Sequence, residues 1–166
     1  MLTIQELSVG DWLQKTIDDP RHEGEQVTVP VQIRGMFTDA AGQDNIIYYH
    51  PVEGIEVSTI LHCLAPLPIS YELVKGCGAV LEEVGDNGAA TPPQYRNRFE
   101  KWCIKTQWKD GTLWYDRRTH KWSLAGANQV YLDYVHHLQH VLRLSALPWS
   151  IDPQEVFSPW LKTYAK

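Results

Sequence analysis

The stretch from Phe99 to Ala125, Phe-Glu-Lys-Trp-Cys-Ile-Lys-Thr-Gln-Trp-Lys-Asp-Gly-Thr-Leu-Trp-Tyr-Asp-Arg-Arg-Thr-His-Lys-Trp-Ser-Leu-Ala, decides the fold, because its apolar residues return at every second position between clear turn signals. Trp102, Ile104 and Trp108 fall on one face of a strand, with Lys101, Cys103, Lys105 and Gln107 on the other. Lys109-Asp110-Gly111 supplies a hairpin turn, Thr112 to Asp116 the return strand, Arg117 to His120 a second turn, and Lys121 to Ala125 a third strand. The expected product is an antiparallel three-stranded meander with a Trp-rich face.

Beyond the meander the pattern turns helical. Asp133 can cap a helix in which Val135, Leu138, Val141, Leu142 and Ser145 form a stripe at spacings of three and four, so this helix is expected to cover the meander. Asp152-Pro153-Gln154-Glu155 reads as the start of a second short helix that Pro159 ends or kinks.

Upstream, Gly10 and Asp11 form a turn into a short strand, and Val27, Val29, Val31 and Ile33 alternate with polar partners. Pro30 cannot donate to a ladder, which places that strand at an edge or gives it a bulge. Asp39 to Asp44 reads as a turn, Ile46–Tyr49 and Ile55–Cys63 as strands, and Asp18 to Glu25 as an exposed loop. Ser70 caps a short helix that ends at Gly76-Cys77-Gly78, and residues 84 to 94 form a Gly-, Asn- and Pro-rich connection. The fold class is α+β: a β-rich curled sheet or barrel over 1–66, a short helix within 67–78, and the meander with its C-terminal helices over 95–166, in one domain.

Composition narrows the function classes. The chain has 166 residues, 43% of them hydrophobic, enough for a core without metals or disulfides. A net charge of −5, spread along the length, leaves no basic field for a duplex phosphate backbone. Cys63, Cys77 and Cys103 are odd in number and widely spaced, which fits a reducing, cytoplasmic setting. No opening basic and apolar segment and no run of about 18 apolar residues occurs, so neither export nor membrane insertion is expected.

The chemistry-bearing groups are few. His136 and His140 are four apart and share a helix face, a spacing that lets two imidazoles reach one metal. In His-His-Leu-Gln-His, however, His137 stands where a zinc-protease helix carries its general-base Glu. His62-Cys63 and the acidic pairs Asp18-Asp19 and Glu82-Glu83 are neighbours without an evident cleft, and Gly76-Cys77-Gly78 lacks the Lys and Ser or Thr of a phosphate loop. No catalytic set and no cofactor motif is recognisable.

Seven tryptophans and eight tyrosines against three phenylalanines point instead to binding. Trp102, Trp108, Trp114, Tyr115 and Trp122 lie near Lys105, Arg117, Arg118 and His120, with His136 on the following helix; aromatic faces beside cations can stack a base and hold its phosphate. The same rings can equally be the core under the helix, with Arg117 and Arg118 merely forming a turn.

Three segments resemble an uncharacterised protein family of Bacteroidetes genomes, prophages and phages: Leu7-Ser8-Val9-Gly10-Asp11-Trp12, Leu67-Pro68-Ile69-Ser70 through Cys77-Gly78, and Tyr134-Val135-His136-His137-Leu138-Gln139-His140. His136, Leu138 and Gln139 match its Val-His-x-Leu-Gln helix; His137 and His140 depart from it. The resemblance implies a small phage accessory protein and no particular reaction. Together these features lead us to expect a non-enzymatic binding protein, a counter-defence factor that sequesters a nucleotide-like molecule or masks a host protein. A metal-dependent hydrolase using His136 and His140, and a homo-oligomeric structural protein, are the alternatives.

Overall fold

A Gly-Asp pair sets the start of the first sheet. Gly10 adopts φ 91°, a conformation open to glycine, and its N–H donates to Ile33 O at 2.8 Å while Ile33 N–H donates to Asp11 O at 2.9 Å. Asp11, fully buried, accepts from Ser8 N at 2.8 Å and closes the turn. The computed structural model describes residues 2–19, 22–50, 53–82, 98–104, 110–124 and 131–144. They divide between two compact units that meet in sequence at Pro68 and Ile69.

The first unit is a five-stranded antiparallel sheet. β1 (Trp12–Asp18), β2 (Gln26–Thr38), β3 (Asp44–His50), β4 (Ile55–Ile60) and β5 (Ala65–Pro66) lie in the order β4-β3-β2-β1-β5. Alternation holds: Leu13, Val29, Val31, Ile33, Ile46 and Tyr48 form one buried cluster with Leu7, Leu61 and Leu64. Pro30 lies inside the 13-residue β2, opposite Gln14. β1 pairs with Gln26 to Gln32 and β3 only from Ile33 onward, so at Pro30 the strand has a partner on one side and its missing N–H costs no ladder bond. The register shift falls beyond it, between Ile33 and Gly35, where the strand changes partners. Asp39 Oδ1 accepts from Ala41 N and Gln43 N, both at 2.9 Å, and folds the β2–β3 turn.

Leu61–Cys63 is a correction to the expected strand, since it closes β4 as a 3-10 turn with Leu64 N donating to Leu61 O at 3.0 Å. His62 and Cys63 are therefore exposed turn residues, not neighbours on opposite faces of a strand.

The second unit opens with α1 (Tyr71–Gly76), whose N-cap Ser70 accepts from Leu73 N at 3.1 Å. β6 (Ala79–Glu82), β7 (Phe99–Ile104), β8 (Gly111–Asp116), β9 (Lys121–Leu124) and β10 (Tyr131–Leu132) come next in sequential antiparallel order. The meander thus has five strands rather than three, with short β6 and β10 added at its edges. α2 (Val135–Leu144) comes last, burying Val135, His136, Leu138 and Leu142. Ile69 N donates to Asp133 O at 3.3 Å and ties the entry of α1 to the entry of α2. The architecture is α+β, dominated by the two sheets. Among the described residues, no helix is long and apolar enough to cross a membrane. The connection at 84–94, Lys105 to Lys109 and the expected helix after Asp152 lie outside the described residues.

Candidate functional site

Period-two alternation gives the second sheet two different faces. On the inner face Glu100, Trp102 and Ile104 of β7 stand beside Tyr115, Leu113 and Gly111 of β8, and Tyr115 beside Trp122 of β9. α1 begins at Tyr71 and lays that ring on this face, with centroids 5.7 Å from Trp102, 4.7 Å from Tyr115 and 5.6 Å from Trp122. Trp102 and Trp122 meet at 5.9 Å and Tyr115 and Trp122 at 4.9 Å, tilted or edge-on as ring quadrupoles prefer. Trp102 is 5% and Trp122 2% exposed, and Tyr115 is buried too. These three residues, expected as candidates for ligand contact, face the core.

The polar atoms along this cluster are tied together. Glu100 accepts from Arg117 Nε at 2.7 Å and from Trp102 Nε1 at 3.3 Å. Burial pushes its carboxyl up, but hydrogen bonds from Arg117, Tyr71 and Trp102 outweigh that and hold it below the usual carboxylate range. Burial and the adjacent Glu100 push the Tyr71 hydroxyl well above its ordinary value. Asp116 takes a bidentate Arg98 at 3.1 and 2.7 Å and also accepts from Arg118 N at 2.9 Å. The Arg98 bonds, against the opposing effect of burial, hold Asp116 far below the usual range. Tyr115 Oη lies 2.9 Å from His120 Nδ1, and His120 has φ 56°. Arg117 and Arg118 thus build the β8–β9 turn, Arg117 through its side chain and Arg118 through its backbone.

On the outer face the residues between these positions emerge. Phe99 stands opposite Asp116 and Asp116 opposite Lys121; one pleat further, Lys101, Trp114, Ser123 and Tyr131 form a row across four strands. Phe99 is 38% and Tyr131 44% exposed, and Lys101, Trp114 and Ser123 are half-buried; Cys103 and Asp116 on the same side are buried. Neighbouring strands are about 4.8 Å apart, which separates the Trp114 and Tyr131 backbones by about 9.6 Å with only the small Ser123 between. Two van der Waals contacts of about 3.5–4.0 Å span about 7–8 Å, less than this backbone separation.

Cations border the row. Lys121 Nζ lies 5.8 Å from the Tyr131 centroid and 3.4 Å from the Asp133 carboxylate; Lys101 pairs with Glu82; the Arg98 guanidinium lies 4.7 Å from the Phe99 centroid. The two lysine pairs are partly exposed, and such pairs are worth about 0–1 kcal/mol.

Of the expected ligand contacts, Trp114 belongs to this outer face and Trp108 lies outside the described residues. Phe99, Lys101, Lys121, Ser123 and Tyr131 were not among the expected site residues. The adjacency of Trp114 and Tyr115, which in a strand must point opposite ways, marks Trp114 alone; its neighbours follow only from cross-strand register. His136 is 1% exposed within α2; its ring stacks on Tyr134 at 5.8 Å and lies 6.3 Å from that of His140. Among the described residues, no group of three metal-ligating side chains includes His136 or His140. In the first unit an open groove of about 390 Å³, lined in part by Leu2, Asp44, Ile60, His62 and Pro66, gathers no aromatic or cationic set of this kind.

Comparison with protein-family models, curated proteins and solved structures gives no match. The geometry of this sheet is therefore what speaks to function.

Proposed function

We propose that the chain is a non-enzymatic binding protein that holds a nucleotide-like small molecule on the outer face of the second sheet. Trp114 and Tyr131 clasp the base above Ser123, and Lys101 and Lys121 meet the phosphate. The observation that carries this reading is the row Lys101, Trp114, Ser123, Tyr131, an aromatic–small–aromatic sequence across adjacent strands with ammonium groups at its flank. A stacked base contributes about 1–3 kcal/mol, independent of base identity, and phosphate pairing adds a salt-sensitive increment. Glu100 with Arg117 and Asp116 with Arg98 are occupied in holding the turn, which favours retention of a ligand over its conversion. In the phage setting that the family resemblance implies, such binding would withdraw a nucleotide signal from the host.

Isothermal titration of the full chain against a panel of nucleoside mono-, di- and triphosphates and cyclic nucleotides tests the proposal. One-to-one binding that weakens as salt is raised supports it; the absence of heat for every member of the panel ends it.

A further inference from the structure

In the β1–β2 connection Asp19, His22 and Glu25 recur at a spacing of three. His22 N donates to Asp19 O at 3.2 Å, Glu25 N donates to His22 O at 3.1 Å, and Asp19 N donates to Glu25 O at 2.8 Å across the mouth. Gly24, at φ 83°, permits the reversal before Glu25. Spacing of three therefore returns each side chain to the same side of the loop. The result is a mixed nitrogen and oxygen donor set, with Asp19 Oδ2 at 3.4 Å and Glu25 Oε2 at 3.8 Å from one and the same atom, His22 Nδ1. The three donor atoms lie within 4.8 Å of one another. Asp19 is buried and fixed; His22 and Glu25 are exposed.

His22 Nδ1 is within hydrogen-bond range of Asp19 Oδ2 and within ion-pair range of Glu25 Oε2. Nδ1 carries at most one hydrogen, which the two carboxylates would have to share, and both separations exceed the roughly 2.7–2.9 Å of a charge-assisted N–H···O bond. A zinc-type ion with bonds of about 2.0–2.1 Å in tetrahedral geometry holds its ligands about 3.3 Å apart, close to the two distances seen here. An imidazole with two carboxylates suits zinc and its borderline neighbours; calcium and magnesium take oxygen donors alone. The geometry points to a divalent transition-metal site of the zinc class formed by Asp19 Oδ2, His22 Nδ1 and a Glu25 carboxylate oxygen. Three protein donors leave the fourth position for water or an external ligand. This site is separate from the aromatic row and stands or falls independently of it.

Untagged full-length chain, stripped with chelator, is titrated with Zn²⁺ and, in parallel, with Co²⁺, whose visible absorption reports tetrahedral coordination. One equivalent of each is expected. Removing outer-shell partners of a metal ligand commonly costs about 10–100-fold in affinity, so His22→Ala and Glu25→Gln, both at exposed positions, should each weaken Zn²⁺ by at least about tenfold. The thermal rise that Zn²⁺ produces should vanish in both, while melting without metal stays as in the parent. A His62→Ala/Cys63→Ser variant, which removes an exposed imidazole and an exposed thiol of the same unit, should keep the equivalent. Failure to bind one equivalent, or binding that persists undiminished in His22→Ala and Glu25→Gln, overturns the inference.

Discussion

Trp122→Ala and Trp114→Ala separate the two faces of the second sheet, because the same chemical truncation is made one pleat apart. Trp122 is 2% exposed and touches Tyr71, Trp102 and Tyr115. A buried Trp removes about 150–250 Å² from water, about 4–6 kcal/mol at 25 cal/mol per Å² as an upper bound, and measured Trp-to-Ala losses in cores run about 3–5 kcal/mol. We expect about 4 kcal/mol. Trp114 is half-buried, and its truncation should cost about 1–2 kcal/mol. With a urea slope near 2 kcal/mol per M, the midpoint should fall by about 2 M for Trp122→Ala and by about 0.5–1 M for Trp114→Ala. Urea unfolding followed by far-UV circular dichroism reads both. Equal shifts, or the larger shift at Trp114, would refute the assignment of these indoles to opposite faces and with it the placement of the ligand.

Acid should weaken the β7–β8 end of this sheet. The Asp116 carboxyl is depressed in the folded chain, so as pH falls the unfolded chain takes up its proton first; the stabilisation is whole above about pH 5 and declines through the unfolded value of 3.8 towards the folded one. Glu100, also depressed, acts in the same direction from 4.5 downward. Urea midpoints at pH 5, 4 and 3 should drop steadily in the parent and less steeply in Asp116→Asn; parallel slopes would count against the Arg98 pairing. That variant should also lose about 3 kcal/mol at neutral pH, since it removes the buried carboxylate that takes the bidentate Arg98. Ser70→Ala removes the cap of α1 and should cost about 1 kcal/mol by the same assay, a neutral result arguing against the Ser70–Leu73 bond. Ser123→Leu fills the floor between Trp114 and Tyr131 and should abolish nucleotide binding while changing stability by no more than about 0.5 kcal/mol; retained affinity would place the ligand elsewhere.

Much of this fold is legible in the sequence because alternation is local. The strands around Val29, Ile46, Trp102, Leu113 and Trp122 arise from apolar residues at every second position, and Ser70 marks its helix by type and place alone. What is not legible depends on partners distant in sequence. Ala79–Glu82 and Tyr131–Leu132 are too short to show a period and become strands only by pairing with β7 and β9. Pro30 suggests an edge, and the structure supplies one locally through a change of partner along β2.

The site is harder to read. Trp102, Trp114 and Trp122 look alike in sequence, and only cross-strand register separates the two that face Tyr71 from the one that faces outward. Ser123 and Tyr131 carry no signal until β8, β9 and β10 are laid side by side. Asp19, His22 and Glu25 read as a charged loop because nothing in their order reveals that the fold brings both carboxylates to a single nitrogen.

If an aromatic pair on the outer sheet face holds a nucleotide, calorimetric titration of the parent, Trp114→Ala and Tyr131→Ala with the tightest-binding member of the nucleotide panel will show it. A single site is expected, with affinity falling by about 5- to 150-fold in each variant, the equivalent of about 1–3 kcal/mol for one lost stacking contact. Undiminished affinity in both variants, or no nucleotide bound by the parent, would rule the clasp out.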